Sequence, residues 1–169
     1  MSYFIGEKEE KENFCINEDS DEFIKKYTMS LFMKNKDVYE YANEKEMMDE
    51  CQKNDTRLFI HFYSEKFEKC LLLNNILNEI VRDIEEAKFL TSEQLEFIRK
   101  IKFRRINVKN CMKTVETLNI SVLPYIGTFR EGYFIEGFQG FEKFGNKEEI
   151  STIDVIKYLE ASELAKEDF

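Results

Sequence analysis

The strongest structural signal in the sequence is the stretch Arg57-Leu-Phe-Ile-His-Phe-Tyr-Ser-Glu-Lys-Phe-Glu-Lys-Cys70. Its first part, Arg57–Tyr63, is aromatic, β-branched and almost continuously apolar, which predicts a strand buried on both faces. Ser64 can cap the helix that follows, in which apolar residues recur every three or four positions as far as Ile84. A buried strand that leads into a long amphipathic helix is typical of an α/β domain.

The segments on either side predict further strands and helices in alternation. In chain order they are a strand at 38–41, a helix at 43–52, a short helix capped at Thr91, a second inner strand at 102–108, a short helix at 111–119, a third strand within 120–129, a strand at 133–137 after a tight turn at 130–132, and a helix capped at Ser151. Strands separated by helices favour a parallel inner sheet, and the tight turn adds an antiparallel hairpin. We therefore expect an α/β fold with a mixed central sheet flanked by helices on both faces.

These elements divide the chain into four parts. Residues 1–18 are highly charged and poorly patterned, which predicts a mobile acidic tail. Residues 19–37 predict a short N-terminal helical arm, residues 38–163 the α/β domain, and residues 164–169 a C-terminal tail. A length of 169 residues fits one domain with short appendages.

The arm has the pattern of an amphipathic helix. Ser20 is a good N-cap residue, and Phe23, Tyr27 and Leu31 then recur every four residues before the pattern ends near Asn35. This apolar face can pack on the chain's own domain or dock on a partner, because so short an arm often lies outside a core. Phe23, Tyr27 and Leu31 are therefore candidate partner-binding residues.

The charge and the composition exclude several classes of function. Lys and Arg number 25 and Asp and Glu 34, so the net charge of −9 disfavours nucleic acids and anionic membranes as partners. No apolar run approaches the ~20 residues that cross a bilayer. The acidic start is unlike a signal peptide, which makes the cytosol the expected compartment.

The residues offer little for binding a metal or a cofactor. A single histidine excludes a three-histidine zinc site. The four cysteines are widely spaced without a C-x-x-C pair, which predicts free thiols in a reducing compartment. No P-loop motif for nucleotide phosphates occurs either. We expect neither a metal nor a cofactor.

Several segments resemble the thioredoxin fold and, more narrowly, its phosducin-like family. Residues 61–70 are similar to the segment in which a strand ends and the redox motif opens the next helix, and Val122-Leu-Pro-Tyr-Ile126 is similar to the cis-proline loop. The stretch 137–152 and the arm segment 21–27 resemble the phosducin-like branch typified by thioredoxin domain-containing protein 9. The connection Ile84–Lys100 looks longer than is usual in that family.

The resemblance implies which residues occupy the redox motif. Phe67 stands at the position of the attacking cysteine, and Cys70 stands at that of the resolving cysteine. Reduction of a disulfide needs an exposed thiolate at the first position, and phenylalanine has no nucleophile, so we assign no catalytic residue. The resemblance also implies a cis peptide bond between Leu123 and Pro124, with a structural role in turning the chain.

The function that the resemblance implies is binding. Phosducin-like proteins of this branch are co-chaperones that associate with the cytosolic chaperonin CCT/TRiC and modulate its folding of actin and tubulin. We expect a non-catalytic protein with the chaperonin as its partner and actin or tubulin as clients. One alternative is a thiol redox protein or sensor that acts through Cys70. Another is a regulator that binds G-protein βγ subunits, although the short helical N-terminus argues against it.

Two further features have an ordinary structural interpretation. His61 lies within the predicted buried strand, where we expect a hydrogen-bonded core histidine rather than a ligand or a base. The dense basic cluster at 99–105 could meet an acidic partner, but charge balance at the ends of a strand is the favoured interpretation.

Overall fold

The computed structural model describes residues 37–86 and 88–167, together with Ile24. The strands and helices below belong to the unit of the chain that begins at Asp37. Three features predicted for the N-terminal region lie outside the described residues and stay predictions: the tail 1–18, the arm 19–37 apart from its two positions 24 and 37, and the anchors Phe23, Tyr27 and Leu31.

Strands and helices alternate along this unit, as the sequence predicts. In chain order they are β1 (Tyr39–Glu40), α1 (Glu44–Cys51), β2 (Arg57–Tyr63), α2 (Glu68–Glu86), α3 (Ser92–Ile98), β3 (Lys102–Asn107), α4 (Met112–Thr117), β4 (Tyr125–Arg130), β5 (Tyr133–Gln139) and α5 (Thr152–Ala161), with short 3-10 turns at Val108–Asn110 and Glu163–Ala165.

The strands form one mixed sheet in the order β1-β3-β2-β4-β5. β1 and β2 both pair with β3 in parallel, whereas β4 pairs antiparallel with both β2 and β5. The predicted mixed sheet, with parallel strands and an antiparallel hairpin, is therefore confirmed. β2 lies at the centre of the sheet, and each of its residues is buried.

The alternation of side chains along β2 supplies two separate apolar cores. Phe59 packs with apolar residues of α2, α3 and α5, among them Leu77 and Leu159. Leu58, Ile60 and Phe62 point to the opposite face and pack with residues of α1 and with Ile106. Helices thus cover both faces of the sheet, because successive side chains of a strand point to opposite sides.

The hairpin between β4 and β5 depends on two residues with a left-handed backbone. Glu131 has φ of 54° and Gly132 has φ of 89°, the pair of positive values that a two-residue type I′ turn requires. Within β5, a Cβ atom on Gly137 would lie 1.8 Å from the hydroxyl oxygen of Tyr125. A side chain at position 137 therefore fits only if the Tyr125 ring shifts.

The packed domain continues beyond the expected boundary at residue 163. Leu164 is 1% exposed and belongs to the core formed with α2, α3 and α5. Arg57 Nη1 donates to the carbonyl oxygen of Leu164 at 2.9 Å, and Arg130 Nη1 donates to that of Lys166 at 3.1 Å. Two strands thus hold this segment in place at least as far as Lys166, by contacts that no local pattern indicates.

The long connection between α2 and β3 is an ordered turn followed by α3. The buried carboxylate of Asp83 accepts hydrogen bonds from the backbone N–H groups of Lys88 at 2.8 Å and Leu90 at 3.0 Å. Thr91 and Gln94 then form the predicted capping box, with bonds of 3.1 and 3.0 Å.

Among the described residues, no helix combines the length and the apolar character needed to cross a bilayer.

Candidate functional site

The candidate site lies where β2 ends and α2 begins. Phe67 immediately precedes the first helical residue, and its carbonyl oxygen accepts hydrogen bonds from Cys70 N at 3.1 Å and Leu71 N at 3.2 Å. Ser64 does not cap the helix, contrary to the expectation from its position. Its hydroxyl instead accepts from Lys66 N at 3.3 Å, within the turn that separates strand and helix. The start of the helix is thus set by Phe67.

Phe67 and Cys70, which the resemblance places at the two positions of the redox motif, have opposite environments. The Phe67 side chain is 50% exposed, whereas the Cys70 side chain is fully buried. Burial raises the pKa of the Cys70 thiol, although a hydrogen bond with the backbone of Ser64 acts in the other direction. A thiol with a raised pKa is a weak nucleophile at neutral pH, because the thiolate is the reactive form.

The cis-proline loop lies beside Phe67. The Leu123–Pro124 peptide bond is cis, as the resemblance implies, and the carbonyl oxygen of Pro124 accepts from Gly140 N at 2.7 Å. Phe67 and Leu123 line one cleft of about 330 Å³, together with Val108, Val115, Ile120, Ser121 and Val122. Pro124 and Cys70 are buried and do not line it.

Apolar side chains form almost all of the lining of this cleft. Apart from the hydroxyl of Ser121, its lining residues are apolar and carry no group that titrates or attacks. Apart from Phe67, the apolar residues come from segments that precede, form and follow α4, so the spacing along the chain does not reveal them as a set. The signal available in the sequence was the apolar character of the loop before Pro124, which contains Ile120, Val122 and Leu123.

The other described cysteines do not restore redox chemistry. Cys51, Cys70 and Cys111 are all free and buried. Burial, reinforced by the nearby carboxylates of Glu50 and Glu44, raises the pKa of both Cys51 and Cys111 to about 12. Cys15 lies outside the described residues. Within the described residues no three histidine, cysteine or acidic side chains are placed to hold a metal ion.

His61 is a core residue, which confirms the structural interpretation of it. It is fully buried, and its Nδ1 lies 2.8 Å from Oδ1 of Asn74 on α2. Its Nε2 has no hydrogen-bond partner. Burial lowers the pKa of His61 to about 3, the bond to Asn74 opposes this shift, and the charge of Arg105 adds to it. The imidazole is therefore neutral at physiological pH.

Charge balance also accounts for two of the three arginines of the basic cluster, Arg104 and Arg105. Arg104 Nε donates to Glu50 at 2.7 Å, and Arg105 Nε donates to Glu40 at 3.0 Å. The hydroxyl of Tyr41 donates to the same carboxylate of Glu50 at 2.6 Å. These pairs link β3 to β1 and α1, and the two arginines are thereby engaged within the fold.

The sequence is similar to two curated proteins. It is 32% identical over 104 residues to phosducin-like protein 1 of Saccharomyces cerevisiae, a match that covers 62% of this chain and 39% of that protein. It is 27% identical over 110 residues to thioredoxin domain-containing protein plp1 of Schizosaccharomyces pombe, covering 65% of this chain and 34% of that protein. The matches thus span well under half of either relative. No family model matches the chain.

The structure is similar to that of a solved thioredoxin. The neighbour is a single-substitution variant of thioredoxin from Halobacterium salinarum, with a TM-score of 0.54 and 13% sequence identity, covering 79% of this chain and 96% of that chain. At this identity the likeness concerns the fold alone. The protein therefore has the thioredoxin fold, and its sequence is similar to those of proteins named phosducin-like protein 1 and plp1.

Proposed function

We propose that this protein is a non-catalytic co-chaperone of the phosducin-like family, in the branch typified by thioredoxin domain-containing protein 9. In this proposal it binds the cytosolic chaperonin CCT/TRiC and modulates the folding of actin or tubulin. The similarity to phosducin-like protein 1 supports the family, and the resemblance of the 137–152 stretch supports the branch.

One observation carries the non-catalytic part of the proposal. The exposed residue at the start of α2 is Phe67, so the position from which a thioredoxin-type thiolate attacks holds an aromatic ring. Cys70, the cysteine at the other motif position, is buried and has a raised pKa. What remains at this end of the sheet is an apolar cleft, which is a surface for contact with another protein.

The partner surface in this proposal has two parts. The acidic domain orients the protein towards basic patches of the chaperonin, since charge affects orientation and association rate more than affinity. Phe23, Tyr27 and Leu31 provide the apolar anchors, because a few large buried side chains supply most of the binding energy of an interface.

A pull-down with the full chain tests the proposal. The immobilised protein is incubated with eukaryotic cytosol, and the bound proteins are quantified by mass spectrometry. We expect enrichment of chaperonin subunits by about tenfold or more over empty resin, because a specific interface binds far more tightly than background adsorption. We also expect the added protein to change the yield of actin or tubulin refolded by purified chaperonin with ATP.

A matched pair of variants tests the anchors. We expect the triple variant Phe23→Glu, Tyr27→Glu, Leu31→Glu to recover much less of the chaperonin in the pull-down than the unchanged protein does. The control is Ile153→Glu on α5, which changes a side chain that is 64% exposed and is expected to leave recovery unchanged. Recovery of G-protein β subunits without chaperonin subunits would contradict the proposal and favour the G-protein βγ alternative.

A further inference from the structure

An open apolar groove lies on the face of the sheet covered by α1 and α4. Met48 of α1 and Leu118 after α4 form its walls, Phe129 and Phe134 of the hairpin form its floor, and its volume is about 550 Å³. The two phenylalanine rings pack edge to face with their centroids 5.3 Å apart. Met48 is 42% exposed and Phe134 is 44% exposed, so the described structure leaves this apolar surface open to solvent.

The charged residues that line the groove carry a positive excess, although the whole chain has a net charge of −9. Lys45 of α1 and Lys113 of α4 both line it. Its one lining carboxylate, that of Glu44, accepts hydrogen bonds from both N and Oγ1 of Thr114 at 2.7 Å and keeps its negative charge, so the lining has a net charge of one positive unit. Lys45 contacts Asp49 at 2.9 Å, but that pair is highly exposed and contributes little. The groove therefore complements an apolar ligand with negative charge on its flanks.

The walls of the groove favour a helical ligand over an extended one. α1 and α4 use their backbone groups in their own helical hydrogen bonds, and the N–H of Thr114 is bonded to Glu44. An extended peptide would enter this apolar groove with unpaired backbone groups, which is costly, whereas a helix pairs them internally. We propose that this groove, with Met48, Phe129 and Phe134 at its centre, binds an amphipathic helix of a partner protein that carries acidic residues on both sides of its apolar face.

A binding assay with the full chain tests this site. The probe is a fluorescent helical peptide with leucines on one face and glutamates along both flanks. The comparison is a peptide of the same pattern with lysines in place of the glutamates. We expect saturable binding of the acidic peptide that weakens with added salt, and binding of the basic peptide weaker by about tenfold or more.

Variants of the groove and a matched control sharpen the test. Met48→Glu places a charge on the apolar wall and is expected to weaken binding of the acidic peptide by about tenfold or more. The double variant Lys45→Glu, Lys113→Glu is expected to reverse the preference between the two peptides. The control is Leu71→Glu on α2, across the sheet, where the replaced side chain is 45% exposed and binding is expected to stay unchanged.

Several outcomes would overturn the inference. They are no saturable binding of the acidic peptide, equal binding of both peptides, or an equal loss in the Leu71→Glu control. Light scattering adds one more: a dimer of the full chain that dissociates in Met48→Glu would make a second copy the occupant. Thermal unfolding of each variant checks that the domain remains folded.

Discussion

Position 67 combines a reactive location with an unreactive side chain. Phe67 is exposed at the start of the 19-residue helix α2, where the helix dipole and free N–H groups stabilise an anion. Three residues later Cys70 is buried, which is compatible with the resolving position of such a motif. Under the proposed correspondence with a redox motif, the attacking position therefore lacks only the sulfur atom of a cysteine.

Restoring that sulfur tests this interpretation. We expect Phe67→Cys to gain disulfide reductase activity in the insulin turbidity assay with dithiothreitol, by about tenfold or more over the unchanged protein. The gain should disappear when Cys70→Ser is added, because the resolving thiol is then absent. Activity of the unchanged protein above that of Cys70→Ser would contradict the non-catalytic proposal and support a redox role for Cys70.

The buried histidine predicts a pH dependence of stability. The folded-state pKa of His61 is about 3, below its ordinary value of 6.5, so the unfolded chain binds the proton more readily between these values. The free energy of unfolding should therefore be highest above pH 6.5 and fall as the pH drops towards 3, with a slope approaching ~1.4 kcal/mol per pH unit.

Urea unfolding at pH values between 7.5 and 5, with a matched variant, isolates this contribution. His61→Gln removes the titrating ring but keeps a polar side chain near Asn74. We expect its stability to fall less steeply with acidification than that of the unchanged protein. Parallel curves for the two proteins would show that other groups, such as carboxylates, account for the whole dependence.

At the scale of elements, helix caps and turns depend on neighbouring residues, whereas the space around a strand residue depends on distant ones. The capping box at Thr91 and the tight turn at Glu131 and Gly132 are local features, and both appear where the sequence predicts them. The requirement for glycine at position 137 is different. It arises because Tyr125, twelve residues earlier on the neighbouring strand, fills the space that a side chain would need.

We expect Gly137→Ala to destabilise the hairpin. The added Cβ would meet the Tyr125 hydroxyl at 1.8 Å, and accommodating it costs ~1–3 kcal/mol of unfolding free energy. A double-mutant cycle with Tyr125→Leu, measured by urea unfolding, separates this clash from the loss of backbone flexibility. Additive effects of the two substitutions would contradict the explanation, because removing the ring should relieve much of the strain.

At the scale of the whole molecule, the sheet organises surfaces on both sides and at its ends. β2 supplies one core to each face, and the helices that cover those cores leave the cleft beside Phe67 and the groove beside Met48 open. The C-terminal segment completes the core that Phe59 forms with α2, α3 and α5. Leu164 is buried in that core, and its carbonyl oxygen accepts a hydrogen bond from Arg57.

The contribution of that segment is measurable. We expect Leu164→Ala to lower the free energy of unfolding by ~2–5 kcal/mol, because it leaves a cavity in a packed core. The matched control is Leu71→Ala, at a position that is 45% exposed, with a change within ~0.5 kcal/mol. Similar small effects of both substitutions in urea unfolding would return residues 164–169 to the role of a loose tail.

Much of this structure follows from short-range patterns in the chain. Continuous apolar character identified β2 as buried, three-to-four spacing identified α2, and the absence of a nucleophile at Phe67 was visible before any coordinates. Other features needed the folded molecule. Arg104 forms an ion pair with Glu50, 54 residues away in the chain, and Phe67 lines the same cleft as Leu123. Periodicity in the sequence predicts which side of a helix or strand is apolar or charged. It does not predict which distant segment packs against that side, because such contacts form only when the whole chain folds.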